Sequence, residues 1–285
     1  MLSIKTNTSA MTALQNLSNT QKEMEKTQAR ISTGLRVGSA SDNAAYWSIA
    51  TTMQSDNSAL STVRDALNLG SATIDTANAG LTASKDLVNQ IKTKLVAATQ
   101  PGVDRSKVQD EIGQLQKQLK SVADSASFSG QNWLSVDSAA ATYNPTRSIV
   151  ASFTRDAANA VSIQAIDVDV SKTALFDVNG PAGIIDKSRT VGATTADVYT
   201  MDISALTDST ADLATLSDYV KIADQAFNEI VAASSSLGAA KARVSTQQSF
   251  VSSLSDAITK GVGALTDADM TEESTRLQAL QTQQQ

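Results

Sequence analysis

Residues 49–98 read IATTMQSDNSALSTVRDALNLGSATIDTANAGLTASKDLVNQIKTKLVAA. From Ile49 onward, Met53, Asp56, Leu60, Val63, Leu67, Gly70, Ile74, Ala77, Leu81, Ser84, Val88, Ile91, Leu95 and Ala98 follow one another in alternating steps of four and three, and all but Asp56, Gly70 and Ser84 are apolar. A repeat averaging about 3.5 residues keeps one apolar line facing a partner helix, so the stretch predicts a sustained coiled-coil seam. The chain repeats the pattern near its other end. Leu213, Leu216, Val220, Ala223, Phe227, Ile230, Ser234, Leu237, Lys241, Val244, Gln248, Val251, Ser255, Ile258, Val262 and Leu265 step in the same way, weakened at Ser234, Lys241, Gln248 and Ser255. At about 1.5 Å per residue the two helices would be roughly 75 and 80 Å long. The chain must turn back between them, so their near-equal lengths predict one antiparallel pair. The fold class is mainly α, a long antiparallel coiled-coil helical rod.

Shorter segments fill in the plan. Pro101, Pro145 and Pro181 are the only prolines, so the first and last hundred residues lack a strong helix breaker. Gln100-Pro101-Gly102 reads as a turn, and Ser106 with Gln109 as a capping box opening a return helix with Val108, Ile112, Leu115, Leu119 and Val122 on one face. A leading helix sets Leu14, Leu17, Met24, Ile31 and Leu35 at heptad positions and ends near Gly34 and Gly38. In the middle, Val161, Ile163 and Ala165, then Val168 and Val170, alternate with polar residues across a phase slip at Ile166, which predicts strands with a β-bulge there. Residues 198–203 are a further strand candidate. A small β-hairpin-rich module is therefore expected at the far end of the rod, with the seams supplying the main core.

Composition narrows the chemistry. Hydrophobic residues make up 41% of the 285 but aromatics only 4%, which favours an elongated body over a globe. No apolar run is long enough to predict membrane insertion, and the first thirty residues lack the pattern of a cleavable secretory signal. The net charge of −6 comes with no basic cluster, which argues against a nucleic-acid partner. Cysteine and histidine are absent. Disulfides, thiolate nucleophiles, the usual zinc sites and histidine acid–base catalysis are thereby excluded, and neither an enzyme nor a cofactor is expected.

Three segments resemble the flagellin family. Residues 30–45, Arg-Ile-Ser-Thr-Gly-Leu-Arg-Val-Gly-Ser-Ala-Ser-Asp-Asn-Ala-Ala, are similar to its N-terminal signature. Ser127-Phe128-Ser129-Gly130-Gln131-Asn132-Trp133-Leu134 is similar to the turn that follows its third helix. Leu237-Gly238-Ala239-Ala240-Lys241-Ala242-Arg243, followed by Asp267-Ala268-Asp269-Met270 and Glu272-Glu273, is similar to its C-terminal part. The resemblance covers about residues 1–136 and 210–285, and Tyr46-Trp47-Ser48-Ile49-Ala50 points to alphaproteobacterial members.

What the resemblance implies is a structural subunit of the bacterial flagellar filament, secreted by flagellar type III export and polymerised for swimming motility. Its implied partners are other copies of itself, an export chaperone, and cap and hook-associated proteins. The implied organisation is an N-terminal filament-core segment at 1–45, a helical rod at 46–136, a variable surface module at 137–205, a rod helix at 206–266 and the start of a C-terminal core segment at 267–285. Family members usually continue with a further apolar helix, so a shortened chain is expected. The residues expected to carry assembly are Leu14, Leu17, Met24 and Ile31 of the leading helix, Leu60, Val63, Leu67, Ile74, Leu81, Val88, Ile91 and Leu95 of the first seam, and Leu216, Val220, Phe227, Ile230, Leu237, Val244, Val251 and Ile258 of the second. A hook-filament junction protein and a surface coiled-coil adhesin are the alternatives.

Candidate sites are few. Asp167, Asp169 and Ser171 resemble the start of a calcium loop, but Lys172 stands where glycine is needed and Val178 where glutamate is needed, so a polar strand face is the better reading. Asn7-Thr8-Ser9 and Asn16-Leu17-Ser18 match the N-glycosylation pattern in a segment expected to be buried in the filament. The resemblance also implies a contact for the vertebrate innate flagellin receptor around Lys92 and Glu111. Lys92 and Thr93 replace the Arg-Glu of recognised members, losing a planar fork and a carboxylate, so recognition is expected to be weak.

Overall fold

The computed structural model describes residues 7–156 and 158–284. Five helices dominate these: α1 (Thr8–Thr33), α2 (Ala44–Ala98), α3 (Arg105–Ser125), α4 (Thr210–Thr266) and α5 (Met270–Gln284). Between α3 and α4 lie β1 (Ser127–Phe128), β2 (Gln131–Asn132), β3 (Ser135–Val136), β4 (Thr146–Arg155), β5 (Val161–Asp169), β6 (Phe176–Asp177), β7 (Arg189–Val191) and β8 (Thr194–Ala196). The strands pair two by two, β3 with β6 in parallel and the other pairs antiparallel. The chain forms two compact units, one of Met1–Ser61 with Ser252–Gln285 and one of Thr62–Val251, and α2 and α4 contribute to both.

The helix ends are chemically marked. Asn7 caps α1 by accepting from the Ala10 amide, and Gly34, at φ 73°, closes it by donating to the Arg30 carbonyl. The Asn43 side chain accepts from the Tyr46 amide at the start of α2. The expected Ser106/Gln109 capping box does not form. Asp104 caps α3 instead, accepting from the Lys107 amide. Gln109 is used elsewhere: it donates to the Met201 carbonyl and accepts from the Ile203 amide.

In the Thr62–Val251 unit, α2 and α4 run antiparallel with a buried apolar seam. Leu67, Ile74, Leu81, Val88, Ile91 and Leu95 of α2 are fully buried, as are Leu216, Ile230, Leu237 and Val244 of α4. Each such side chain contributes about 1.5–3 kcal/mol relative to exposure. The α4 helix buries a second stripe as well, Ile222, Ala226, Ala233 and Ala240. The third helix buries Ile112, Gln116, Leu119 and Ala123, while Val108, Leu115 and Val122 are only half-buried.

The middle segment lies alongside these helices and not beyond their ends, which corrects the expected placement and makes it part of the core. Ile149 of β4 sits against Gly70, where an added Cβ would lie 2.5 Å from its Cγ2. Leu134 sits against Gly80 with 2.4 Å between such a Cβ and Cδ1. Leu134, Val170, Leu175, Ile185, Val198 and Ile203 are all fully buried. The β-bulge exists but falls between Val150 and Ser152 of β4, opposite β5, and not at Ile166. Ile166 and Val168 are buried, whereas Val161 and Ile163 face outward. Residues 198–203 form no strand. The Asp197 carboxylate accepts from the amide and hydroxyl of Thr200, and the resulting turn buries Val198, Met201 and Ile203.

Candidate functional site

The four polar residues that interrupt the α4 seam recur every seven positions, and all four reach α2. In the larger unit Ser234 bonds Asn78 at 2.7 Å, Lys241 pairs with Asp75 and Gln248 donates to Asn68. In the other unit Ser255 bonds Asn57 at 2.6 Å. As the α4 number rises the α2 number falls, so these contacts read out the antiparallel register side chain by side chain. The interruptions of the α2 seam do something different: Gly70 makes room for Ile149, and Ser84 is fully buried with no hydrogen-bond partner for its hydroxyl among the described residues.

The remaining seam residues are placed as follows. Leu60, Val63 and Val251 are buried, whereas Val220, Phe227 and Ile258 are half-buried. Lys92 lies 5.8 Å from the centre of the Phe227 ring and 2.6 Å from the Asp224 carboxylate, which it holds below the usual carboxylate range. Glu111 pairs with Lys94. Both side chains named for a receptor contact are thus engaged within the chain.

In the unit of Met1–Ser61 and Ser252–Gln285, two of the segments singled out in the sequence meet. The Arg36 and Val37 amides donate to the Thr266 carbonyl at 2.7 and 3.2 Å, and the Ala268 amide donates to the Gly34 carbonyl at 2.9 Å. The Arg36 guanidinium reaches the Ala264 and Leu265 carbonyls, which lie in the last turn of α4 where a cation complements the helix dipole. Arg30 of α1 pairs with Glu273 of α5 at 2.9 Å, with Thr27 and Glu273 buried. Asp42 draws its loop together by accepting from the Ser39 hydroxyl and from the Gly38 and Ser39 amides, and the Ser39 hydroxyl bond holds its carboxyl below the ordinary value. The N-terminal signature is therefore the joint that closes α1 onto the end of α4 and the start of α5.

On α1 the four positions named for assembly divide. Met24 and Ile31 are half-buried, but Leu14 is 66% exposed and Leu17 44%, with Met11 at 61% beside them.

The middle of the three segments is equally specific. Ser129 and Gly130 take positive φ and turn β1 into β2. The Asn132 amide donates to the Ala123 and Asp124 carbonyls in the last turn of α3, and its oxygen accepts from the Leu134 and Ser135 amides. That clamp delivers Leu134 to Gly80.

The remaining candidates acquire ordinary roles. Asp167 accepts from the Ser148 hydroxyl and Asp169 from Ser171, with Lys172 at 3.6 Å. Among the described residues, no group of three acidic side chains is placed to hold a metal ion. Arg189 is buried by the middle segment and forks onto both oxygens of Glu229 on α4, a bond sequence reasoning missed, since nothing in the sequence sets Arg189 apart from Arg147 and Arg155 of the same stretch.

Comparison with known proteins agrees with this geometry. Residues 4–139 match the model for the bacterial flagellin N-terminal helical region and residues 220–285 that for the C-terminal helical region. Flagellin C of Rhizobium meliloti (strain 1021) is 48% identical over 301 aligned residues, covering 100% of this chain and 93% of that protein. Flagellin A of the same strain is 40% identical, with 100% and 95% covered, and the flagellin of Brucella melitensis biotype 1 is 41% identical, with 100% and 92% covered. Two family models on the two helical ends, and relatives matched along the whole chain, establish that this chain belongs to the bacterial flagellins.

Proposed function

We propose that this flagellin, a structural subunit of the extracellular flagellar filament, joins neighbouring copies through the exposed apolar face of α1. The observation that carries this is the exposure of Met11, Leu14 and Leu17 along one helix in the isolated chain. Burying them against a second copy supplies the association free energy that a single chain leaves unused. In this reading residues 1–45 and 267–285 are filament-core segments, 46–136 and 206–266 are the supporting helices, and 137–205 face solvent with part of their surface. The work is mechanical, with no chemical step.

The same reading includes export through the flagellar type III route, with a chaperone before export and cap and hook-associated proteins at the filament ends. Among the described residues no helix is long and apolar enough to cross a membrane. Recognition by the vertebrate innate receptor is weak in this reading, since Lys92 and Glu111 are held by Asp224 and Lys94. The test is a strain whose only flagellin gene encodes this chain. Filaments and swimming support the reading; a strain that exports the chain as free monomer, with no filament, overturns it.

A further inference from the structure

Asn179-Gly180 is the one Asn-Gly step in the chain, and it lies on the exposed turn that follows β6. The turn is loosely tied. The Gly180 amide reaches the Asp177 carbonyl only at 3.5 Å, and the Asn179 amide reaches Asp177 Oδ1 at 3.4 Å, both beyond a normal N–H···O distance. No hydrogen bond holds the Asn179 side chain among the described residues. Its amide carbon and the next backbone nitrogen are thus free to approach each other.

The other asparagines lack one of these conditions. Asn57 and Asn78 lie inside α2, where the following amide is locked into the helical ladder. Asn132 uses both side-chain atoms in its clamp. Asn144 precedes Pro145, which has no N–H. Asn159 precedes Ala160, whose amide is bonded to Asp156 at 2.8 Å.

We propose that Asn179 is a self-modification site that converts to a mixture of aspartate and isoaspartate with water as the sole co-reactant. The Gly180 nitrogen, giving its proton to solvent base, attacks Asn179 Cγ and closes a succinimide ring. The Cγ–Nδ2 bond breaks, and the nitrogen takes up a proton and leaves as ammonia. Water then opens the ring at either carbonyl, yielding aspartate if the new Cγ–N bond breaks and isoaspartate if the original backbone bond breaks. No oxidation state changes.

The product adds a carboxylate beside Asp177, whose own carboxylate is bound by Ser138 and whose amide donates to Asp186 at 2.6 Å. Asp186 already has one buried oxygen without a partner among the described residues. The new charge and, in isoaspartate, the longer backbone both strain this turn. A filament subunit outside the cell is not resynthesised in place, so the change marks subunit age.

The test uses the purified full chain held at neutral and at mildly basic pH, in ordinary and oxygen-18 water, followed by mapping of the tryptic peptide 173–187. Asn179 should be lost faster at the higher pH, with isoaspartate in excess, one heavy oxygen gained, and little change at Asn57 or Asn159. Gly180 does not occupy the left-handed region, and a Cβ there would meet only side chains, the nearest being Asp177 Oδ2 at 3.0 Å. Gly180→Ala should therefore fold normally and slow the reaction severalfold or more, and Asn179→Gln should abolish it. An Asn179 that stays intact while other asparagines convert, or a rate unmoved by Gly180→Ala in a folded chain, overturns the proposal.

Discussion

The two compact units bury their apolar residues to very different extents. The Thr62–Val251 unit encloses the whole run from Leu67 to Leu95 on α2, most of the facing seam on α4 and a set of residues from the middle segment. Among the described residues of the other unit, the buried apolar side chains are Val37, Ala50 and Leu60, accompanied by buried Thr27, Thr266 and Glu273. That unit exposes Met11, Leu14, Leu17, Tyr46, Trp47, Ile49 and Met270 over this sparse core, whereas the larger unit, which also exposes residues such as Ile163, Val178 and Phe250, does so around a closed one. One unit has a closed apolar core within the single chain; the other is held by backbone bonds and the ion pairs Arg30–Glu273 and Arg276–Glu23, and on the function proposed above its exposed apolar side chains on α1 are what other copies cover. Stability and assembly are therefore separable by mutation.

The largest effect should come from a charge in the closed core. Leu67→Asp or Ile74→Asp must desolvate an unpaired carboxylate or open the seam, and should cost about 4 kcal/mol or more. Urea unfolding would read it as a large drop in midpoint; a loss no greater than that of an exposed control, Thr93→Asp, would mean the seam is not the core. Next in size is Gly80→Ala. The added methyl would collide with Leu134, and overpacking of this kind costs about 1–3 kcal/mol. Gly113→Ala on α3, which meets nothing within 4 Å, should be neutral or slightly stabilising when both glycine variants are unfolded in urea.

In the other unit, Glu273→Gln should weaken the docking of α1 on α5 by about 1–3 kcal/mol, since it leaves Arg30 without its carboxylate. Hydrogen exchange of α1 would report it, while protection of α2 between residues 67 and 95 stays unchanged. Smaller again are the pH effects, which have opposite signs. Asp42 has a lowered carboxyl pKa in the fold, so its contribution is present above the unfolded value and lost as pH falls through the folded one. Burial raises that of Asp186, so the folded state gains stability as pH falls through the raised value. Asp42→Asn should flatten acid loss of protection around residues 38–42, and Asp186→Asn should stabilise the turn around Asp177 at neutral pH. Least of all, Lys241→Leu removes an exposed ion pair and should shift stability by no more than about 1 kcal/mol.

Much of this was legible in the sequence because a seam is a periodic signal. Alternating steps of four and three located the α2 face that buries Leu67, Ile74 and Leu81, and the heptad repeat of Ser234, Lys241, Gln248 and Ser255 marked the polar line that contacts α2. The second buried stripe of α4 was not seen because it is mostly alanine, which carries little pattern. The middle segment was misplaced for a related reason. Gly70 stood as a lapse in an apolar pattern and Gly80 lay off the seam, although a glycine inside a helix is also what a closely approaching side chain requires. Residues 198–203 were misread because alternating apolar residues also suit a turn that buries Val198, Met201 and Ile203, and a carboxylate at Asp197 decides in favour of the turn. The exposure of Leu14 and Leu17 followed from no rule of periodicity, since heptad spacing says that a face will be covered and not by which chain.

The separation of stability from assembly is tested most directly by expressing Leu14→Asp and Leu67→Asp in the host strain as sole flagellins, with melting of each purified chain followed by circular dichroism and filaments counted by electron microscopy. Leu14→Asp should melt with the unmutated chain yet give no filaments, whereas Leu67→Asp should lose its cooperative melt. Normal filaments from Leu14→Asp, or a fall in its melting temperature matching that of Leu67→Asp, would contradict the account.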